Sequence, residues 1–163
     1  EELLRIASEY GVSPSKLKAI IAAESSANNN ETHTDLDGQS SYGLMQIRPD
    51  TARALDPSLR GLSDAEIAER LRDPAYNVEL GAKYYGDLLD KYSGDETKAS
   101  AAYNGGPGAN LPSKNCDNQL RWQCLWDNDA HTVANERLGH PGYGPTRNYI
   151  DNINQLELLF AGA

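Results

Sequence analysis

The sequence predicts an all-α fold. Apolar residues recur at three- and four-residue intervals through most of the 163 residues, which is the spacing of a helix face. Residues that start helices, mainly Ser, Asp and Pro, stand immediately before these segments, and Gly follows several of them. No segment shows the convincing alternation of apolar and polar residues that is typical of a half-buried strand. The stretch 30–43 is compatible with one small hairpin.

The first two helices are predicted from their end signals. Residues 2–10 carry a helical apolar pattern, and Gly11 follows as a residue that favours the left-handed conformation after a helix. The second helix begins after Ser13, which is a good N-cap, with Pro14 at its first position. It is expected to run to about Ser26, where a polar loop begins.

The later helices follow from the same kind of signal. In the sequence SDAE, Ser63 and Glu66 have the spacing of a capping box, which indicates a helix start. Prolines open two other segments, and an apolar stripe marks the longest helix. The expected helices cover residues 49–55, 63–71, 74–92, 95–103 and 146–160.

Length and composition predict one domain over residues 1–163. The chain is 39% hydrophobic, which is enough for a core, and it has no apolar run long enough to span a bilayer. The net charge is −9 and no basic run is present, so nucleic acid is not an expected partner. The first residue is Glu1, which is compatible with a removed signal peptide or with a segment of a longer protein.

The two cysteines predict a local disulfide rather than two free thiols. Cys116 and Cys124 are separated by seven residues, and the histidines that follow have no recognisable metal-ligand spacing. A disulfide would place the protein in an oxidising compartment. The segment 107–145 around them is rich in Pro, Gly and Asn. Trp122 and Trp126 are expected to form the small core of this segment, or otherwise a platform on which sugars stack.

A carboxylate lies on the apolar face of the second helix. Leu17, Ile20 and Ile21 share that face, and its next position is Glu24. At the end of a helix this side chain could simply reach solvent. The alternative is that it lines a cleft, where burial would raise its pKa and allow it to donate a proton near neutral pH.

Four short motifs occur in a recognisable order. They are "ES" at 24–25, "GLMQ" at 43–46, "AYNGG" at 102–106 and "TRNY" at 146–149. Together with the helix "DPAYNVELGAKYYGDLL" at 73–89, they resemble the lytic transglycosylase family in its soluble branch. The resemblance implies a single lysozyme-like domain of the goose type with a substrate groove. It covers roughly residues 3–109 and 144–160, which makes 107–145 an expected insertion that Cys116 and Cys124 would hold together.

The resemblance also implies a substrate and a set of site residues. Family members cleave the β-1,4 bond between N-acetylmuramic acid and N-acetylglucosamine in peptidoglycan. Glu24 matches their single catalytic acid and base. The residues that match substrate-binding or site-lining positions are Ser25, Met45, Gln46, Tyr103, Asn104 and Tyr149. No metal or cofactor is expected, and the expected location is extracytoplasmic: the periplasm, the cell envelope or a phage virion, where the chain could serve a larger assembly.

The sequence departs from the family pattern at several positions. The stretch "SANNN" follows "ES" where an aromatic residue and Pro are common, and the loop to "GLMQ" looks long. Gly105 stands where Ala is common, and Pro145 stands where Glu is common. These differences affect the expected sugar subsites next to Glu24.

One glutamate is sufficient if the substrate assists its own cleavage. Most glycosidases use two carboxylates, with substrate-assisted enzymes as an exception. The candidates for a second carboxylate are Asp35, Asp37 and Asp50, and none of them lies in a matched motif. Asp35 and Asp37 also resemble a calcium loop, but the remaining ligands are out of register, so a polar turn is expected. The alternative functions are a goose-type lysozyme that hydrolyses the same bond and a catalytically silent glycan-binding module.

Overall fold

A computed structural model describes residues 1–35, 37–124 and 143–162. Within these ranges the chain is mostly helical, with one hairpin and with a stretch at 106–124 that is built from turns. The helices are α1 Glu2–Tyr10, α2 Pro14–Ser25, α3 Pro49–Leu55, α4 Asp64–Leu71, α5 Pro74–Lys91, α6 Glu96–Gly105 and α7 Gly144–Ala161, with a 3-10 turn at Pro57–Leu59. The strands are β1 Thr32–Thr34 and β2 Ser40–Tyr42. The predicted all-α class is confirmed, and the small hairpin is present.

The helices begin where local sequence signals predict. The Ser13 hydroxyl accepts a hydrogen bond from the backbone N–H of Lys16 at 3.1 Å. Ser63 and Glu66 form the predicted capping box, in which each side chain accepts from the backbone N–H of the other residue. Gly11 follows α1 in the left-handed conformation with φ 66°. Each of these contacts supplies a partner for a backbone group that a helix end leaves unpaired.

Helix α6 extends two residues further than predicted. Asp95 caps its start by accepting from the N–H of Lys98 at 3.0 Å. The helix continues through Asn104 and Gly105, and it ends at Gly106, whose φ is 78° and whose N–H donates to the Ala102 carbonyl. The glycine that stops the helix is therefore the second of the pair, and Asn104 lies inside the last helical turn.

The chain divides into two compact units. The first comprises Glu1–Asp87 and Gln155–Ala163, and the second comprises Leu88–Asn154. The prediction of one domain over residues 1–163 remains a prediction. The first unit has a well-packed apolar core, with essentially no solvent exposure at Ile6, Leu17, Ile20, Met45, Ile47, Leu59, Ile67 and Leu71.

The first unit also buries a lysine. The Lys16 ammonium lies 2.6 Å from the carboxylate of Glu157, and the Lys16 side chain is 2% exposed. Ser13 donates a second hydrogen bond to the same carboxylate at 3.3 Å. A buried charge is costly unless it is paired, so this ion pair connects the start of α2 to the end of α7.

The second unit is organised around a small apolar cluster and the disulfide. Ala101, Ala109 and Ile150 are buried together, and Trp122 and Tyr143 pack against them. The predicted bond between Cys116 and Cys124 is present. The Trp122 indole N–H also donates to Asn110 at 3.1 Å. Trp122 therefore contributes to the core, as expected, whereas Trp126 and the rest of the stretch 125–142 of the predicted insertion lie outside the described residues.

No helix in the described part of the chain combines the length and the apolar character that crossing a bilayer requires. Within the same residues, no group of three or more His, Cys, Asp or Glu side chains has an arrangement that could hold a metal ion.

Candidate active site

Glu24 lies in the last turn of α2, where the apolar helix face ends. Leu17, Ile20 and Ile21 on that face are buried, as the periodicity predicts, and Glu24 is half-buried. The helix stops at once after Ser25, because Ser26 adopts the left-handed conformation with φ 52°. The carboxylate thus stands at the boundary between the core and the surface, carried by a helix that is anchored in the core.

Ser25 fastens this helix end to the "GLMQ" turn. Its hydroxyl is buried and lies 2.8 Å from the Leu44 carbonyl oxygen and 3.1 Å from the Ile21 carbonyl oxygen. The contact with Ile21 is local to the helix, whereas the contact with Leu44 joins segments 19 residues apart. Ser25, the residue next to Glu24, therefore holds the end of α2 against the turn.

A buried asparagine of α5 forms hydrogen bonds with the "GLMQ" turn. Asn77 has 0% exposure, and its carbonyl oxygen accepts from the Met45 N–H at 2.8 Å. Its NH2 group donates to the carbonyls of Tyr42 and Leu71, both at 2.8 Å. Both amide protons and the carbonyl oxygen of Asn77 are therefore hydrogen-bonded, which ties α5 to the turn.

Gly43 allows this contact to be close. Its φ is 79°, and a Cβ at this position would overlap the Asn77 side chain and the Leu71 carbonyl. A similar close approach occurs one helical turn further along α5, where Gly81 faces the Met45 side chain. Met45 itself is fully buried. Its predicted role in substrate binding stays a prediction, and its visible contribution is to pack the turn against α5.

Gln46 completes the turn in an unusual conformation. Its φ is 51°, which is uncommon for a residue with a side chain. The Gln46 NH2 group donates to the carbonyls of Gly43 at 2.9 Å and Glu31 at 3.1 Å. Both amide protons are committed to the backbone, so the side chain has its oxygen left to accept a hydrogen bond from a ligand.

The carboxylates of Asp35 and Asp37 form ion pairs with an arginine. Arg48 forms ion pairs with both carboxylates, and His33 lies 3.2 Å from Asp35. The backbone N–H of Gln39, and secondly the positive charge of Arg48, hold the pKa of Asp37 below its ordinary value. These contacts account for both residues as parts of a charged surface turn.

The other predicted site residues belong to the second unit, at the end of α6 and the start of α7. Tyr103 is half-buried, Asn104 is exposed, and Tyr149 is 8% exposed. Thr146 connects the two helices, because its hydroxyl donates to the Asn104 side-chain oxygen at 2.9 Å. The "AYNGG" and "TRNY" motifs thus meet through a direct hydrogen bond.

Two site-building residues did not emerge from the sequence as candidates. Asn77 lies in the helix segment that supports the resemblance, and a polar residue next to an apolar stripe is its only local signal. Thr146 is the first residue of "TRNY" and is 2% exposed. Each residue reaches a motif that is distant in sequence: Asn77 contacts Met45, 32 residues away, and Thr146 contacts Asn104, 42 residues away.

Most of the chain matches a known protein family. Residues 3–121 match the family described as the transglycosylase SLT domain. The chain is 33% identical to membrane-bound lytic murein transglycosylase C of Yersinia enterocolitica over 160 residues, which cover 93% of this chain and 43% of that protein. It is 34% identical over 98 residues to a transglycosylase of the phage PRD1, covering 60% of this chain and 31% of that protein.

Solved structures show the same fold. An inactive glutamate-to-glutamine variant of the lytic transglycosylase Slt from Pseudomonas aeruginosa superposes with a TM-score of 0.67 at 26% identity. The 70 kDa soluble lytic transglycosylase of Escherichia coli superposes with a TM-score of 0.66, also at 26% identity. Each match covers 98% of this chain and 23% of the other. The chain therefore spans less than half the length of these relatives.

Proposed function

Because the chain belongs to the transglycosylase SLT domain family, we propose that it is a lytic transglycosylase of peptidoglycan. Its substrate is the β-1,4 bond between N-acetylmuramic acid and N-acetylglucosamine, and Glu24 is the single acid and base. Several relatives that are similar in sequence are named membrane-bound lytic murein transglycosylases. The inactive variant of a relative carries glutamine in place of a glutamate, which supports one essential carboxyl group in this family.

The observation that carries this proposal is the hydrogen bond between Ser25 and Leu44. It ties the last turn of α2, which bears Glu24, to the turn that ends in Gln46. A catalytic acid works only if it is held at a fixed position relative to the groups that bind the substrate. The two motifs of the first unit meet this requirement, since they share a buried contact.

In the first step Glu24 donates its proton to the bridging oxygen. The bond between this oxygen and C1 of the muramic acid residue breaks, and the N-acetylglucosamine leaves with a free hydroxyl. The carbonyl oxygen of the N-acetyl group on the muramic acid bonds to C1 and stabilises the positive charge there. Substrate assistance of this kind replaces the second carboxylate of most glycosidases.

In the second step Glu24 acts as a base. It removes the proton from the C6 hydroxyl of the same muramic acid, and that oxygen attacks C1 and displaces the N-acetyl oxygen. The product is a 1,6-anhydromuramic acid, and Glu24 regains the proton that it gave away. No water is consumed, so a single carboxyl group completes the cycle.

The amide side chains of the site have complementary hydrogen-bonding capacities for such a substrate. Gln46 has its NH2 group bound to backbone carbonyls, so its oxygen can accept from a sugar hydroxyl or an N-acetyl N–H. Tyr103, Asn104 and Tyr149 are proposed to bind the glycan in the second unit. Met45 is proposed to support Gln46 from the core.

A hydrolytic lysozyme activity is the alternative. It would require a positioned water and an acidic partner for Glu24, for which Asp35 and Asp37 are the sequence candidates. In the structure both carboxylates pair with Arg48, which favours the water-independent reaction. A silent glycan-binding module is disfavoured because the glutamate of the "ES" motif is intact.

An extracytoplasmic location is proposed from the substrate and the relatives. The names of the similar proteins describe membrane-bound enzymes and a phage transglycosylase, and a disulfide agrees with an oxidising compartment. The proposed partner is the glycan strand itself. A larger envelope-penetrating or secretion assembly is a further proposal.

Cleavage in water labelled with oxygen-18 tests the reaction type. Purified peptidoglycan is digested in labelled water, and the released fragments are analysed by mass spectrometry. The proposed reaction predicts muramic acid ends without the heavy isotope. Incorporation of one labelled oxygen at each new end would establish hydrolysis and overturn the proposal.

A further inference from the structure

We propose that Thr146 is a positioning residue that orients the amide of Asn104, so that Asn104 donates hydrogen bonds to an acceptor oxygen of the substrate. The inference rests on the proposed function, because it concerns how the same site recognises its glycan. It assigns to Asn104 the role of a donor, and the acceptor that it fits is a carbonyl oxygen such as that of an N-acetyl group. It also assigns to Gly105 the role of admitting Thr146.

The orientation follows from the hydrogen bond between the two residues. The Thr146 hydroxyl is buried and donates to the Asn104 side-chain oxygen at 2.9 Å. This bond commits the acceptor end of the amide to the protein. Asn104 is exposed, so the NH2 group, which carries both donors, remains for a ligand.

Gly105 provides the space that this bond requires. A Cβ at position 105 would lie 2.7 Å from the Thr146 hydroxyl oxygen and 3.1 Å from the Ala109 Cβ. The first distance is shorter than real Cβ contacts, so an alanine would push the Thr146 side chain away from Asn104. In this chain Gly105 therefore leaves the space that the Thr146 hydroxyl occupies.

An amide without such a partner can present either of its two ends. A ligand carbonyl that meets the amide oxygen instead of the NH2 group loses one hydrogen bond and faces a like partial charge. The Thr146 hydroxyl removes this ambiguity before the substrate arrives, which is a form of preorganisation. The effect should appear in binding and turnover of the glycan rather than in the stability of the fold alone.

The first experiment examines the free protein by nuclear magnetic resonance. The chemical shift of the Asn104 side-chain carbonyl carbon reports whether its oxygen accepts a hydrogen bond. Thr146→Val, which keeps the shape and removes the hydroxyl, should move this carbon upfield, and Thr146→Ser should leave it close to its original position. An unchanged shift in Thr146→Val would overturn the proposed orientation, whether or not the protein is an enzyme.

The second experiment uses a double-mutant cycle on peptidoglycan cleavage. Loss of one hydrogen bond of about 1.4 kcal/mol corresponds to about a 10-fold lower kcat/KM for Thr146→Val, and Thr146→Ser should restore activity. In an Asn104→Ala background, Thr146→Val should change kcat/KM less than about 2-fold, because the residue through which it acts is absent. An equal loss in both backgrounds would show a purely structural role and overturn the proposal.

Asn104→Asp and Gly105→Ala complete the set. The aspartate retains an oxygen for Thr146 but replaces the outward NH2 group with an acceptor, so it should lower kcat/KM at least as much as Asn104→Ala. Gly105→Ala should reproduce the carbon shift of Thr146→Val. Asn104→Asp with parental activity would contradict donation by Asn104. If the parent protein releases no glycan fragment, the proposed function fails, while the carbon shifts still decide the orientation.

Discussion

The Ser25 hydroxyl lies 2.8 Å from the carbonyl oxygen of Leu44. This contact joins the end of α2 to the turn that contains Gln46, and Ser25 is 5% exposed. Glu24 precedes Ser25 directly, so the backbone that carries the proposed acid is fixed at the adjacent residue. Ser25 therefore has a physical function: it fixes the helix end that carries Glu24 next to the turn that carries Gln46.

Ser25→Ala should reduce activity more than it reduces stability. It removes the contact with Leu44 and leaves a partly buried carbonyl without this donor, which costs about 1–2 kcal/mol. A helix end that moves by a fraction of an ångström misplaces Glu24, so kcat is expected to fall by about 10-fold or more. Urea unfolding and initial rates of peptidoglycan cleavage measure the two effects.

Ser26→Ala is the matched control for this change. Ser26 is adjacent and exposed, and its backbone is left-handed, a conformation that disfavours serine and alanine alike. The free energy of unfolding and the kcat of the Ser26→Ala variant should stay near those of the parent. Equal losses in the two variants would contradict an anchoring role for Ser25.

Asn77→Ala should destabilise the first unit strongly. The change removes three hydrogen bonds, all at 2.8 Å, from a fully buried position. Backbone groups of Tyr42, Met45 and Leu71 would each lose a hydrogen bond, at a total cost of about 3 kcal/mol or more. Thermal and urea unfolding should report a lower free energy of unfolding.

Asn77→Asp tests the same contact with an almost identical shape. Its carboxylate would face two carbonyl oxygens, so we expect a loss at neutral pH at least as large as that of Asn77→Ala. Asn154→Ala, on the exposed side of α7, is the control and should change the free energy of unfolding little. Near-parental stability of Asn77→Asp would refute the described hydrogen bonds.

The pair of Tyr76 and Asp56 should produce a pH-dependent contribution to stability. The Tyr76 hydroxyl donates to Asp56 at 2.7 Å, and this bond, followed by that from Ser58, lowers the pKa of Asp56. A depressed folded-state pKa contributes stability above the unfolded value of about 3.9 and loses it as the pH falls through the folded value. Tyr76→Phe should therefore lower stability near neutral pH, by an amount that shrinks in acid.

Urea unfolding of Tyr76→Phe across the acid range measures this difference. In an Asp56→Asn background, Tyr76→Phe should have the same effect at every pH, because no charge remains to titrate. A pH-independent effect in the parent background would show that the hydrogen bond does not act on the ionised form of Asp56.

The disulfide should stabilise the segment that holds Trp122. Cys116 and Cys124 are separated by eight positions, and closure of such a loop is worth roughly 2.5 kcal/mol in the chain-entropy model. The double variant Cys116→Ala with Cys124→Ala should unfold at lower urea concentration than the oxidised parent. Reducing agent should lower the stability of the parent and leave the double variant unchanged; a loss in the variant would indicate a different cause.

Features set by neighbouring residues were predictable from the sequence. The N-cap at Ser13, the capping box at Ser63 and the stop at Gly11 depend on contacts within a few residues, and all three are present. The disulfide was predictable for the same reason, since its two cysteines are close in the chain. The predicted end of α6 lies two residues too early, because either Gly105 or Gly106 could have ended the helix.

Features set by distant contacts were not predictable in the same way. The burial of Asn77 depends on the turn at 43–46, and the burial of Thr146 depends on the end of α6. The motif resemblance identified the segments that meet, but not the residues that join them. Met45 illustrates this difference, because it matches a site position while its side chain lies in the core.

The most direct test of the proposed mechanism compares the parent protein with Glu24→Gln on purified peptidoglycan, with the fragments identified by mass spectrometry. Glutamine keeps the size of the side chain and cannot transfer the proton, so the free energy of unfolding should stay near that of the parent. The proposed mechanism predicts fragments ending in 1,6-anhydromuramic acid from the parent and none from Glu24→Gln. Fragments one water molecule heavier, or substantial cleavage by Glu24→Gln, would contradict a lytic reaction carried by this single glutamate.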